Sequence, residues 1–166
     1  MTKLKPISKE SIPRALEKAE RYRLLNEPFL AESICLDVLA ADPENHDALV
    51  SYVLSLCDQV ALGESSVLRR TQQAIGRLKS EYERFYYGGI VCERRAMSHL
   101  HHDRHGARDA AYYDLRAAMD LYDQADARKP DPKNDDAVLR FNTCVRLIEQ
   151  HDLREPTHEP HDYPLE

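Results

Sequence analysis

The apolar residues of this chain recur every three or four positions, which is the spacing of an amphipathic helix. Proline is absent from residues 44 to 129, while leucine and alanine are frequent there. Because these two are strong helix formers and β-branched residues are sparse, the pattern predicts an all-α protein. The clearest apolar stripe consists of Ala111, Leu115, Ala118, Tyr122 and Ala125.

Turn and capping residues divide this pattern into seven predicted helices. Serine and asparagine favour the position just before a helix, and proline suits the first helical turn. The fourth predicted helix is expected to end at Leu78. The first four helices are expected to begin near Ser11, Pro28, Asn45 and Ser65.

A capping box and glycine turns delimit the later helices. The segment Ser80-Glu81-Tyr82-Glu83 fits a capping box and starts the fifth predicted helix. This helix is expected to continue to about residue 102, although Gly88 and Gly89 would weaken it locally. Gly106 marks the next turn, the sixth helix carries the apolar stripe, and Asn134 is expected to cap the seventh.

Two stretches of the sequence repeat each other. Residues 42–52 and 131–141 share the pattern D-P-x-N-x-D-A, followed by two aliphatic residues, one variable position and an aromatic residue. Each stretch predicts a helix-breaking turn followed by a capped helix. Repeated units of this kind are typical of solenoids, in which each helical hairpin buries its apolar face on its neighbours.

Residues 12–45 resemble one unit of the tetratricopeptide repeat (TPR) family. Small residues, Ala19 and Ala31, stand where two helices must approach closely, and Pro43 stands where the second helix ends. The family resemblance implies an all-α, TPR-like right-handed α-solenoid of three helical hairpins plus a C-terminal capping helix. The later hairpins, residues 46–79 and 81–129, fit the family pattern more loosely. The first unit departs from the family pattern at Lys18, Cys35 and Val38.

The resemblance also implies a domain organisation and a function. We expect an N-terminal lead-in at 1–10, a TPR-like helical domain at 11–151 and an acidic proline-rich tail at 152–166. The implied function is that of a protein–protein interaction scaffold or adaptor, which holds a peptide or helix in a groove lined by the first helix of each hairpin.

Family geometry assigns nine residues to this groove. Lysine and asparagine form the carboxylate clamp of chaperone-binding family members, but the corresponding positions here are Leu16 and Glu20, so this role is disfavoured. Of the clustered tyrosines, most are expected in the core, and Tyr86 or Tyr87 is expected to be exposed. The predicted groove residues are Leu16, Glu20, Arg23, Ser51, Leu54, Tyr86, Tyr87, Ile90 and Arg94.

Charge is distributed unevenly along the chain. The formal net charge is −6, which argues against a dedicated nucleic-acid binder. Residues 69–104 contain eight bases and four acids, whereas the tail contains five acids and one base. One interpretation is that the basic segment attracts an acidic peptide and that the tail competes for it. The alternative is that both are simply solvated surfaces.

Histidines are dense between residues 99 and 105. His101 and His105 are four positions apart on a predicted helix, and His102 or Asp103 could add a third ligand for zinc or nickel. This makes a metal- or small-ligand-binding helical module the alternative function. The other interpretation is a solvated helix end, where protonated histidine suits the helix dipole. A second group, at His151, His158 and His161, lies in the tail.

Other sequence features narrow the class of protein. The four cysteines, at 35, 57, 92 and 144, form no CxxC pair and are expected to be buried free thiols. Hydrolase, nucleotide-binding and metalloprotease motifs are missing, so we expect neither an enzyme nor a cofactor. No apolar run approaches the ~20 residues of a membrane span, and no secretory signal is evident. The expected location is therefore cytoplasmic.

Overall fold

A computed structural model describes residues 2–62, 65–102 and 104–156. Over these residues the protein contains α-helices and no β-strand, which confirms the predicted all-α class. None of the described helices is long and apolar enough to cross a bilayer. The helices are α1 (Ile12–Leu24), α2 (Pro28–Ala41), α3 (His46–Ala61), α4 (Leu68–Gly76), α5 (Glu81–His101), α6 (Ala107–Asp126) and α7 (Asp136–Gln150).

Most of the predicted helix starts are found in the structure. Pro28 is the first residue of α2. The Asn45 side chain accepts a hydrogen bond from the Ala48 N–H at 2.9 Å, and this caps α3 as predicted. Ser11 does stand just before α1, but its hydroxyl donates to the Ser8 carbonyl at 2.8 Å instead of accepting from the helix.

Two predicted helix boundaries are corrected. The fourth helix is shorter than predicted, because residues 65–67 form a single 3-10 turn and α4 ends at Gly76. Asn134 lies one residue further from α7 than predicted, and Asp135 occupies the cap position. The Asn134 side chain nevertheless accepts a hydrogen bond from the Asp136 N–H at 2.9 Å. It therefore still satisfies one of the backbone N–H groups that have no partner within the first turn of the helix.

Short connections place consecutive helices in contact. Helix α2 packs against both α1 and α3, α4 packs against α3 and α5, and α6 packs against α5 and α7. The odd-numbered helices also contact one another in order, α1 with α3 and α3 with α5. The buried apolar residues form one cluster that extends from Ile12 to Leu153. This arrangement leaves α1, α3 and α5 side by side.

The turn between α1 and α2 depends on a left-handed residue. Asn26 has φ = 59°, a conformation that asparagine tolerates better than most side chains. It allows the Glu27 N–H to reach back to the Tyr22 carbonyl at 2.8 Å, which closes the end of α1. The second hairpin helix can then begin directly at Pro28.

Gly88 and Gly89 lie inside one continuous α5, in agreement with the predicted continuation of this helix past them. Gly89 lies directly against the ring of Tyr122 in α6, and a Cβ atom at this position would come within 2.8 Å of the ring Cδ1. The absence of a side chain therefore allows α5 and α6 to approach closely, and tertiary packing outweighs the low helix propensity of glycine.

A buried polar cluster joins the last three helices. Glu93 of α5 is 5% exposed and Tyr122 of α6 is fully buried. The Tyr122 hydroxyl donates to Glu93 Oε2 at 2.8 Å, and Arg140 Nη1 of α7 donates to Glu93 Oε1 at 2.8 Å. Burial and the Glu93 carboxylate raise the pKa of the Tyr122 phenol, so this hydroxyl remains a donor.

The chain after α7 folds back onto the helices. Leu153 is 5% exposed and belongs to the apolar cluster. Arg108 Nη2 of α6 donates to the carbonyls of His151 and Asp152 at 2.6 and 2.9 Å. Packing of the helical unit therefore continues past the boundary at residue 151 that the sequence predicted, while residues 157–166 lie outside the described part.

The four cysteines are free thiols, as predicted. Cys35, Cys57 and Cys144 are buried, and Cys92 is half-buried. Burial raises the pKa of the Cys57 and Cys144 thiols to about 12, so both stay protonated at neutral pH and behave as small apolar side chains.

The Gly89→Ala variant tests the close approach of α5 and α6. Its methyl group would overlap the Tyr122 ring, so we expect the free energy of unfolding to fall by about 1–3 kcal/mol. In the matched Gly88→Ala variant the new Cβ meets only Leu121 Cδ1, at 3.6 Å. Stability should then rise by up to about 1 kcal/mol. Urea unfolding followed by circular dichroism measures both, and equal effects would contradict this packing.

The Tyr122→Phe variant tests the buried polar cluster. It leaves Glu93 Oε2 without its donor, and we expect a loss of about 1–3 kcal/mol in the free energy of unfolding. Tyr112→Phe is the control, because Tyr112 is half-buried on the same helix and its hydroxyl bonds to no described residue. The control should change stability by less than about 0.5 kcal/mol. A Tyr122→Phe variant as stable as the native chain would refute the role of the hydroxyl.

Candidate functional site

A groove of about 520 Å³ runs between α1, α3 and α5, at the place where these helices lie side by side. Residues from all three helices line it, and the even-numbered helices contribute none. The lining residues are Pro13, Leu16, Glu17, Glu20, Arg23, His46, Asp47, Val50, Ser51, Leu54, Glu83 and Tyr87.

The structure brings together most of the predicted groove residues. Arg94 lines an adjoining cavity of about 420 Å³, which shares Glu20 and Arg23 with the groove. Both cavities open along the same row of helices. The predicted residues that line the groove itself are Leu16, Glu20, Arg23, Ser51, Leu54 and Tyr87.

Two predicted groove residues belong elsewhere. Ile90 is 2% exposed and forms part of the core. Tyr86 packs its ring against Tyr82 and Tyr122, with ring centroids 5.6 and 6.0 Å apart. Tyr86 is adjacent to the face of α5 that meets α6, whereas Tyr87 is turned to the groove.

The expectation of an exposed tyrosine at 86 or 87 is also corrected. Both side chains are half-buried, because Tyr86 stacks in a tyrosine cluster and Tyr87 lies in the groove wall. Among the tyrosines that the structure describes, the exposed one is Tyr113 on α6, with 49% of its surface accessible.

The groove has an apolar floor. Leu16 of α1, Val50 and Leu54 of α3 and Tyr87 of α5 are half-buried there and pack on the core. Burial and the neighbouring Glu83 carboxylate raise the pKa of the Tyr87 phenol, so it is a neutral hydrogen-bond donor. The floor can therefore take apolar side chains and offers one hydroxyl among them.

The rim of the groove is acidic. Glu17 and Glu20 of α1 and Asp47 of α3 are exposed and form no ion pair with any described residue. Glu83 Oε1 lies 2.9 Å from His46 Nε2, so this carboxylate already contacts another side chain of the groove lining. The rim thus presents three free carboxylates around the apolar floor.

The arginines of the groove are held by a carboxylate at one end. Asp58 Oδ2 accepts from Arg23 Nε at 2.9 Å, and Asp58 Oδ1 lies 3.4 Å from Arg94 Nη2. These ion pairs join α1, α3 and α5 and offset the positive charge of Arg23. Two exposed leucines, Leu24 at 82% and Leu62 at 49%, line the same adjoining cavity.

Six bases of the segment 69–104 bind acceptors of the same chain. The acceptors are carboxylates and two carbonyls of the connections between helices, so these charges are distributed over the surface and do not surround the groove. The contacts are Arg70 with Glu32, Arg77 with the Pro43 carbonyl, Lys79 with Glu44, Arg84 with the Leu78 carbonyl, Arg94 with Asp58 and Arg95 with Asp114.

His101 and His102, at the end of α5, each contact a carbonyl of that same helix. His101 Nδ1 lies 2.6 Å from the Met97 carbonyl, and His102 Nδ1 lies 2.8 Å from the Ser98 carbonyl. Each ring is therefore engaged with its own helix, and His105 follows after α5 has ended. Within the described ranges no three histidine, cysteine or acidic side chains are grouped for a metal ion. Asp103, His158 and His161 lie outside those ranges.

The sequence predicted only half of the residues that line the groove, although the spacing of these residues along the helices could have identified more of them. Four of the five lining residues of α1 occur at 13, 16, 17 and 20, and four of the five of α3 occur at 47, 50, 51 and 54. Both sets have the same helical spacing, and each member of the second lies 34 positions after its counterpart. The residues missed are Pro13, Glu17, His46, Asp47, Val50 and Glu83.

The chain was also compared with known proteins. No protein-family model, no curated protein and no solved structure gave a significant match. The functional conclusion therefore depends on the geometry of the groove.

Proposed function

We propose that this protein is a TPR-like solenoid that serves as a protein–protein interaction scaffold and binds a peptide or helix in the groove between α1, α3 and α5. The observation that carries the proposal is the repetition of groove positions. Four groove-lining positions of α1 are each matched by a groove-lining position of α3 that lies 34 residues later in the chain. This interval is the length of a tetratricopeptide unit.

The helix contacts support the solenoid part of the proposal. Helix α3 starts 34 residues after α1, at 46 and 12. Each even-numbered helix packs between its two chain neighbours, while α1, α3 and α5 follow one another on the groove side. Stacked helical hairpins produce this pattern, since each unit contacts only the units next to it.

The composition of the groove supports the binding part of the proposal. An apolar centre with a polar, accessible rim is the usual anatomy of a protein interface. Leu16, Val50 and Leu54 provide such a centre, and exposed carboxylates surround it. An extended peptide or one face of a helix would cover the apolar floor and leave its polar side in water.

Removing the apolar floor should abolish this binding. Peptides selected on the native chain from a random display library are expected to bind the Leu16→Gln, Leu54→Gln double variant at least about tenfold more weakly, because burial of each leucine contributes about 1.5–3 kcal/mol. Fluorescence anisotropy measures the affinity, and the melting temperature of each variant verifies that it is folded.

The matched control carries Leu36→Gln and Leu139→Gln. These leucines are 46% and 62% exposed, and they lie on α2 and α7, away from the groove. The control should keep the native affinity. A library that yields no binder, or peptides that are weakened equally by both pairs of substitutions, would overturn the proposed function.

A further inference from the structure

We infer that the partner of this groove is a basic segment of another protein, in which lysine or arginine side chains flank a short apolar face. This inference rests on the proposed function and adds the chemistry of the partner to it. The combination of an apolar floor with free carboxylates on two of the three helices that line the groove carries the inference.

The free charges of the groove are of one sign. Glu17 and Glu20 stand on the α1 wall and Asp47 stands on the α3 wall, all exposed. The one arginine among the lining residues, Arg23, is bound to Asp58. A partner that enters the groove therefore meets carboxylates on both sides and no unpaired arginine or lysine among the lining residues.

The geometry of the walls sets where the partner's charges must lie. Leu16 and Glu20 are four positions apart on α1, as Val50 and Leu54 are on α3. A partner that buries apolar side chains on Leu16, Val50 and Leu54 therefore brings its flanking positions to the carboxylates of Glu17, Glu20 and Asp47. Basic residues at those positions would form ion pairs, whereas acidic residues would meet like charge.

This chemistry also excludes two other occupants. The chain's own tail carries the acids Glu155, Glu159, Asp162 and Glu166. The tail and the rim of the groove carry charge of the same sign, so the tail does not complement the groove. An acidic partner, which the basic segment at 69–104 suggested, would need bases at the groove, but six bases of this segment are already engaged by acceptors of the same chain.

The probe for this inference is a fluorescein-labelled peptide of about 14 residues made from leucine, lysine and alanine, with leucines at helical spacing. Two companion peptides replace every lysine by glutamate or by glutamine. We expect the lysine peptide to bind the native chain most tightly and the glutamate peptide most weakly. Raising the salt from about 0.05 to about 0.3 M should weaken only the lysine peptide, because salt screens exposed ion pairs.

Neutralising the groove tests whether the three carboxylates are responsible. The triple variant Glu17→Gln, Glu20→Gln, Asp47→Asn should bind the lysine peptide about tenfold more weakly, because each exposed ion pair contributes a factor of about two to five at best. It should bind the glutamine peptide with unchanged affinity, since the apolar floor is intact.

The control variant removes the same number of charges elsewhere. Asp120 and Asp123 on α6 and Glu149 on α7 are exposed and form no ion pair with any described residue. The variant Asp120→Asn, Asp123→Asn, Glu149→Gln has the same net charge as the groove variant. It should bind the lysine peptide within about twofold of the native chain, because these sites do not meet the peptide.

The outcomes separate the two proposals. If the glutamate peptide binds as tightly as the lysine peptide, or if the groove and control variants are weakened equally, the inference of a basic partner is overturned while the groove function stands. If none of the three peptides binds, or if all three bind the Leu16→Gln, Leu54→Gln variant as tightly as the native chain, the groove itself is not the binding site.

Discussion

One carboxylate joins the three helices that form the groove. Asp58 of α3 binds Arg23 of α1 and Arg94 of α5, at 2.9 and 3.4 Å. The three side chains are only 18–34% exposed, so water competes with these ion pairs less than it would at an open surface. With α1 and α5 bound to α3 in this way, their side chains converge on one apolar floor and one acidic rim. The candidate site therefore depends on Asp58, although Asp58 does not line its main cavity.

The sequence predicted the helices well because helix formation depends on local chemistry. Asn45 and Pro28 start their helices where expected, and the stripe that contains Ala118 and Tyr122 is buried. The side of α5 that faces the groove was predicted less well. Tyr87 lines the groove, but Ile90 is buried in the core and Tyr86 packs against Tyr122 of α6. Local spacing carries no information about the position of a neighbouring helix.

The net charge of a segment is a poor guide to the charge of the surface that it forms. Between residues 69 and 104 bases outnumber acids, yet Arg70 and Arg95 are bound to acids on α2 and α6. The acidic rim arises from α1 and α3, which are separated by a whole helix in the sequence. Only the folded chain brings Glu20 and Asp47 to the same groove. A charge count along the chain therefore could not have predicted the acidic rim of the groove.

The third wall of the groove is fixed from both sides, and this bears on the binding proposed for the groove. On its outer side α5 is held against α6, where Gly89 meets Tyr122 and Glu93 accepts from the Tyr122 hydroxyl. On its inner side Arg94 is bound to Asp58. A wall held by contacts on two faces loses little conformational freedom when a peptide binds, so less of the binding free energy is spent on ordering the protein. Helix α1 is likewise held on two faces, by its packing against α2 and by the bond of Arg23 to Asp58 of α3.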